Sequence, residues 1–144
     1  MAPDRLNKRC QRGAAATEFA LVSIVFMGLV IGVIELGRLA YVYTTAVEAT
    51  RLGARIAVVC SQADDTVVKA KMKAMLPLLE AGNISIVYPA ATCSITDCDP
   101  VTVSIQNLTF RAVIPLVPLD FQIPAYTTSL PAESLDSTDN DLCT

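Results

Sequence analysis

Ala14-Ala15-Ala16-Thr17-Glu18-Phe19-Ala20-Leu21-Val22-Ser23-Ile24-Val25-Phe26-Met27-Gly28-Leu29-Val30-Ile31-Gly32-Val33-Ile34 is the stretch on which the fold turns. The 16 residues from Phe19 to Ile34 carry no charge; as a helix they span about 24 Å, short of a bilayer core of about 30 Å. Counted from Ala14 the run has 21 residues, or about 31 Å, which fits. Glu18 is its one charge. It sits about one turn inside the membrane, where a carboxylate costs up to about 3 kcal/mol at depth and less near the interface. A cation about 4 Å away, at an effective dielectric of about 20, returns on the order of 4 kcal/mol before its own desolvation. Cutting the chain after Gly13 would create that cation, the α-amino group of Ala14, in the same subunit or in a neighbour. The other reading is an uncut anchor whose Glu18 snorkels at the cytoplasmic edge, and charge alone leaves both open.

What precedes the run supports its membrane placement. Residues 1–13 hold Arg5, Lys8, Arg9 and Arg12 against Asp4, so the remaining chain carries 7 basic and 13 acidic residues although the formal net charge is only -3. A basic head before an apolar run predicts a cytoplasmic N-terminus and places everything after the run on the far side. The small-residue junction Gly13-Ala14 precedes the apolar stretch, the reverse of a secretory signal, so cutting there keeps the segment on the mature protein. With 144 residues, 53% of them hydrophobic, there is room for one small domain plus a membrane segment. Basic residues outside the leader are few and not gathered into a stripe, which excludes nucleic-acid binding.

Helical character continues past Ile34. Glu35 and Arg38, Glu48 and Arg51, then Arg55 fall at three- and four-residue spacings, while Leu39, Val42, Ala46, Ala49, Leu52 and Ile56 keep one apolar face. One long helix over 14–60 is predicted, its N-terminal half transmembrane, with no proline between Asp4 and Met75 to break it. Gly28 and Gly32 form a small-xxx-small pair that lets another helix approach closely, a weakly specific pattern in an apolar run. Gly37 and Gly53 mark places where the rod bends or is packed closely.

Four groups of residues, Arg12-Gly13, Glu18-Phe19-Ala20-Leu21, Gly32-Val33-Ile34-Glu35-Leu36-Gly37-Arg38 and Ala49-Thr50-Arg51-Leu52-Gly53-Ala54-Arg55, taken in order and spacing, resemble the TadE-like family of tight-adherence pilus proteins. The resemblance covers about a third of the chain. It implies a pseudopilin or minor pilin of the Tad (Flp, type IVc) apparatus, involved in assembling pili for adhesion and cut by a prepilin peptidase between Gly13 and Ala14. Glu18 then matches the pilin glutamate at the fifth mature position, which pairs with a neighbour's N-terminal amine, and Glu18 with Phe19 forms the assembly motif. Implied partners are the peptidase, other pilins of the apparatus and an inner-membrane assembly platform. The implied location is the bacterial inner membrane, single-pass with a periplasmic C-terminal domain, or an extracellular pilus. The alternative is an uncut membrane-anchored scaffold factor of the same machine. Two positions depart from the family pattern: Ile24 replaces a common proline, leaving the helix straighter, and Thr17 replaces a usual aliphatic residue.

Residues 61–130 read as an α+β domain. Asp64 or Asp65 is placed to cap a second helix on which Val67, Ala70, Ala74, Met75 and Leu78 share a face, with Pro77 kinking or ending it and Gly82 stopping the chain. Lys69, Lys71 and Lys73 read as a solvated face. Alternation predicts strands at Asn83 to Tyr88 and Val101 to Ile105, and a third within Phe121 to Leu130, interrupted at Pro124. Pro115 and Pro118 make Arg111 to Leu119 an irregular connection or short helix. The architecture expected is a long N-terminal helix and a second helix on a small antiparallel sheet.

Cys10 leaves with the leader if the cut occurs, so Cys60, Cys93, Cys98 and Cys143 remain, an even set suited to disulfides on an oxidising side. Proximity favours Cys93 with Cys98, leaving Cys60 with Cys143 to pin the tail to the end of the long helix. A four-cysteine zinc site lacks paired short spacings and any histidine, so no metal or cofactor is expected. Residues 131–144, with Glu133, Asp136, Asp139 and Asp141, read as a solvated, mobile acidic tail. Asn83-Ile84-Ser85 and Asn107-Leu108-Thr109 match the glycosylation sequon, by chance in the bacterial protein that the resemblance implies. With no histidine and no glycine-rich phosphate loop, no catalytic constellation is legible, and an enzyme is not expected.

Overall fold

The computed structural model describes residues 4–93, 97–113 and 120–143. A single helix, α1 (Asp4–Ala57), runs for 54 residues, about 81 Å at the usual rise. It is unbroken through Gly28, Gly32, Gly37 and Gly53, as expected where no proline removes a hydrogen bond. The chain continues through a 3₁₀ turn (Gln62–Asp64) into α2 (Asp65–Met75), which ends because Leu76, preceding Pro77, is held extended. Five strands follow: β1 (Ile84–Val87), β2 (Val101–Ile105), β3 (Leu108–Arg111), β4 (Asp120–Ile123) and β5 (Tyr126–Leu130). The protein is therefore α+β: a long apolar helix, a second helix and small antiparallel sheets.

One sheet has the order β1-β2-β5 and the other pairs β3 with β4. The two share one register. Val101 pairs with Leu130 and Ile105 with Tyr126 in the first sheet, while Leu108 pairs with Ile123 and Arg111 with Asp120 in the second, all without slippage. The pair β2–β3 and β4–β5 is thus one long hairpin bent at Gln106-Asn107 and Pro124-Ala125. Two residues make the bend: Pro124 has no N–H for the ladder, and Asn107 takes a left-handed conformation (φ 53°) that asparagine tolerates better than branched residues. Carbonyls freed there are satisfied by Asn83, whose Nδ2 donates to the oxygens of Gln106 (3.1 Å) and Asn107 (3.0 Å). Its Oδ1 meanwhile accepts the Glu80 N–H at 3.0 Å. The region Phe121 to Leu130, expected as one interrupted strand, is two strands in different sheets.

The core lies between the C-terminal half of α1, α2 and the three-stranded sheet. From α1 it takes Val42, Ala46, Ala49, Ala54, Ile56 and Ala57, and from β2 Val101, Val103 and Ile105. Leu52, expected on this face, is exposed, and Gly53 is buried beside it. A Cβ at Gly53 would stand 2.5 Å from Met72 Sδ, so glycine is what lets α1 and α2 approach. On α2 the buried face is Val68 and Met72, continued by Leu76 and Leu79. That corrects the expected face: Ala70, Ala74, Met75 and Leu78 are exposed and Val67 is half-buried. Local periodicity could not separate two faces rotated by one residue, because both are apolar. Neither aspartate caps α2 as expected; Asp64 occupies the cap position without a side-chain cap bond and accepts from Ser137 Oγ, while Asp65 accepts from the Tyr88 hydroxyl at 3.3 Å.

The acidic tail also departs from the expectation of a mobile end. Its backbone runs past the carbonyls of Val58 and Val59, which directly follow α1 and have no partner within a helix. Glu133 and Leu135 N–H groups donate to the Val58 oxygen (3.0 and 3.4 Å), and Asp136 N–H and Ser134 Oγ donate to the Val59 oxygen (3.0 and 2.9 Å). Cys143, buried, is bonded to Cys60 across 83 positions of sequence. The Arg111 to Leu119 connection falls mostly on residues 114–119, outside those described; Arg111 itself ends β3.

Candidate functional site

The N-terminal half of α1 is the part of the molecule that its own domain leaves uncovered. Its most apolar stretch contains no buried residue, and it is the one helix among the described residues long and apolar enough to cross a membrane. Phe19 is 74% exposed and Ile24 70%. A Cβ at Gly13, Gly28 or Gly32 would meet nothing within 4 Å, and a spacing of four puts Gly28 and Gly32 on one open face.

At the start of this half the helix aligns three groups. Gly13 and Ala14 lie within the helical run, and Glu18 follows Ala14 by four positions, so the Ala14 backbone and the Glu18 side chain share a face about one turn apart. Thr17 donates its hydroxyl to the Ala14 oxygen at 2.8 Å, which satisfies a polar side chain inside an otherwise apolar run. Glu18 is exposed and makes no hydrogen bond or ion pair among the described residues.

A second cluster closes the apolar half. Arg38 Nη1 donates to both carboxylate oxygens of Glu35 at 2.9 Å, and the backbone N–H of Val113 donates to Glu35 Oε1 at 3.0 Å. The Arg38 guanidinium lies 5.2 Å from the centre of the Phe110 ring, within cation–π range. The bent hairpin is what carries Phe110 and Val113 back along α1 to this point. With its side chain only 11% exposed, Glu35 differs from Glu48, whose pairing with Arg51 at 2.8 Å is open to solvent on both sides. The helical spacing made both pairs legible; the Val113 contact, across 78 positions, had no local signal.

Residues 13–55 match the model of the TadE-like protein family. This segment is TadE-like. The match covers the membrane-length run, the Glu35–Arg38 cluster and Gly53 at the α1–α2 contact, and stops where α1 is about to end. No curated protein and no solved structure matches the chain. TadE-like proteins are associated with the Tad pilus, a structural rather than a catalytic setting.

The structure places the remaining site candidates as follows. Cys93 is bonded to Cys98, as Cys60 is to Cys143, and no group of three or more His, Cys, Asp or Glu side chains suited to a metal ion occurs among the described residues. Asn83 and Asn107, the sequon asparagines, are both used by the hairpin bend. Burial, with Asp65 and Asp64 nearby, pushes the Tyr88 phenol well above its ordinary range. Burial, then the neighbouring Tyr43, pushes Tyr126 up to about 12; its ring meets Tyr43 edge-on at 5.2 Å. Hydrogen bonds from Thr138, side chain first and then backbone, hold the Asp136 carboxyl below its ordinary value.

Proposed function

We propose that this chain is a pilin-like subunit of the Tad apparatus, a minor pilin or pseudopilin, cut by a prepilin peptidase after Gly13 and assembled through the exposed half of α1. The observation that carries this reading is an uncovered, membrane-length helix fused without a break to a folded domain, matching the TadE-like family over 13–55. Such a rod can leave the bilayer sideways into a bundle of like helices, where Gly28 and Gly32 give a neighbour close approach. Cutting creates the Ala14 α-amino group one turn from Glu18, in the subunit itself or across a helix contact. With that cation present, the cost of placing the carboxylate in the membrane is offset. Processing and assembly are then one electrostatic event.

The second reading is an uncut membrane-anchored scaffold factor of the same machine. It is favoured by one feature: helix α1 runs through the Gly13–Ala14 junction, so cutting requires the first turns to unwind. Gly13, the tenth residue of α1, eases that opening because a helix-interior glycine costs about 1 kcal/mol against alanine.

The N-terminal residue of the protein recovered from membranes of its own host separates the two. Mass spectrometry should find chains beginning at Ala14 while the cognate peptidase is active. Intact chains beginning at Met1 as the sole species would overturn the processed-pilin reading. In the same system Gly13→Trp should insert but stay uncut, and Glu18→Ala should be cut but fail to assemble.

A further inference from the structure

We infer that the acidic C-terminal strap of one copy docks on the lysine-edged face of α2 in the next, so that the folded domains interlock as well as the helices. This contact rests on the pilin-like reading above, and its partner is a second copy of this chain. The two surfaces carry opposite charge. Residues 131–144 hold four carboxylates and no basic residue. The strap is held by the Cys60–Cys143 disulfide and by hydrogen bonds from the Glu133, Leu135 and Asp136 amides to Val58 and Val59. Glu133 and Asp136 are both exposed, and neither meets a cation among the described residues. On α2, Lys71 and Lys73 are exposed and Lys69 half-buried, and none of the three enters an ion pair among the described residues. A spacing of four puts Lys69 and Lys73 on one edge of the open face; Lys71 falls on the other edge, with exposed Ala70 and Ala74 between. Small side chains between the lysines leave room for an incoming strap, and carboxylates held together on a fixed backbone gain when cations approach.

Within one chain the two surfaces stand at different heights along α1. Helix α2 folds back beside α1, and Met72, between Lys71 and Lys73, lies against Gly53. The strap crosses at Val58 and Val59, so its level is about 7.5 Å further out than Gly53 at the helical rise. The register of neighbouring rods supplies the shift. A parallel neighbour whose Ala14 amine is level with Glu18 is displaced outward by four positions, about 6 Å, and the same displacement lifts its Lys71 and Lys73 toward the strap. What is left, about 1.5 Å, lies within the reach of a flexible lysine stem. The electrostatic contact at the start of α1 and the one at its end therefore ask for the same stagger. Strap and α2 face are different patches of one chain, so the contact is head to tail. Because each step carries an axial displacement, its repetition builds a helical array and not a ring.

Charge exchange tests the contact in membranes of the protein's own host, with the cognate peptidase active and the chromosomal copy removed. One full-length variant carries Lys69→Glu, Lys71→Glu and Lys73→Glu, and the other carries Glu133→Lys and Asp136→Lys. A carbodiimide, which joins an amine to a carboxylate in direct contact, is added, and the joined peptides of cross-linked dimers are identified by mass spectrometry. The wild-type chain should give dimers in which Lys69, Lys71 or Lys73 is joined to Glu133 or Asp136. Each variant alone should lose these dimers by about fivefold or more, the effect of reversing several exposed ion pairs. Co-expression of the two should restore dimers, because each strap then meets an α2 face of opposite charge. Non-reducing peptide maps check that Cys60 and Cys143 stay joined; where a variant loses that disulfide, the wild-type cross-link decides alone, its presence supporting the contact and its absence overturning it. Equal dimer yield in all preparations, no restoration on co-expression, or α2 lysines joined only to a different protein overturns the contact and leaves the pilin-like reading standing. Chains beginning only at Met1 in the same membranes overturn that reading and this contact with it.

Discussion

The two halves of α1 share one unbroken helical backbone and meet opposite fates. From Phe19 to Ile34 large side chains, Phe, Leu, Ile and Val, cover every face and most remain exposed. From Val42 to Ala57 the buried positions are mainly small, Ala46, Ala49, Gly53, Ala54 and Ala57, against which the sheet and α2 pack. A helix lined with small residues on one side lets other backbones come close, and the polar Glu48, Arg51 and Arg55 on the other side keep that half in water. A helix with bulky apolar groups all round gains nothing from one flat sheet and is stable where every side is apolar. The difference teaches that the domain boundary along this rod is set by side-chain size and charge placement, while the backbone runs through unaltered.

Variants can break or sharpen this contrast. The largest effect is expected from Cys143→Ser, which releases the strap that caps the buried half; losing a disulfide of this kind costs about 2–5 kcal/mol. Denaturant unfolding in detergent should show that loss, with fast hydrogen exchange at Glu133, Leu135 and Asp136. Unchanged protection there would mean that the hydrogen bonds to Val58 and Val59 suffice alone. Next, Asn83→Ala leaves the bend carbonyls of Gln106 and Asn107 without their donor and should cost about 0.5–1.5 kcal/mol for each hydrogen bond, because both acceptors lie on exposed residues. If the bend then fails, Val113 amide exchange should rise as the hairpin leaves Glu35.

A paired glycine experiment tests the halves directly. Gly53→Ala forces a methyl group onto Met72, costing about 1–3 kcal/mol before a helix-propensity gain of about 1. Gly32→Ala meets open space in the chain and should leave its stability within about 1 kcal/mol, while weakening any assembly made through that face. Equal thermal shifts in the two variants would refute the distinction between a packed and an unpartnered half. The smallest change is expected from Glu48→Ala, below about 0.5 kcal/mol for an exposed pair. Glu35→Ala, which removes the acceptor of both Arg38 and the Val113 amide, should exceed it clearly in the same melting assay.

Much of this was readable along the chain, for reasons of range. The membrane-length run, the helix through 57, the Glu35–Arg38 spacing, the alternation of Val101, Val103 and Ile105 and the TadE-like residues are all local patterns, each complete within a few turns or one strand. Strand β3 was missed although Leu108 and Phe110 alternate with Thr109 and Arg111, because the segment is short and follows a left-handed Asn107 that reads as a loop. The α2 face was misplaced by one residue because the apolar residues of that helix do not distinguish the side touching Gly53 from the side touching water.

The sequence by itself determined where the chain can enter a membrane, where a cut would leave a cation beside Glu18, and which residues alternate or recur toward a core, since periodicity and charge act between near neighbours. Tertiary structure alone decided that the two short sheets are one bent hairpin, that Glu35 holds Val113, that Asn83 closes the bend and that an acidic tail caps α1. Each of those joins groups far apart in sequence, and their partner choice is set by which backbone donors and acceptors remain unpaired once the helices and strands have formed.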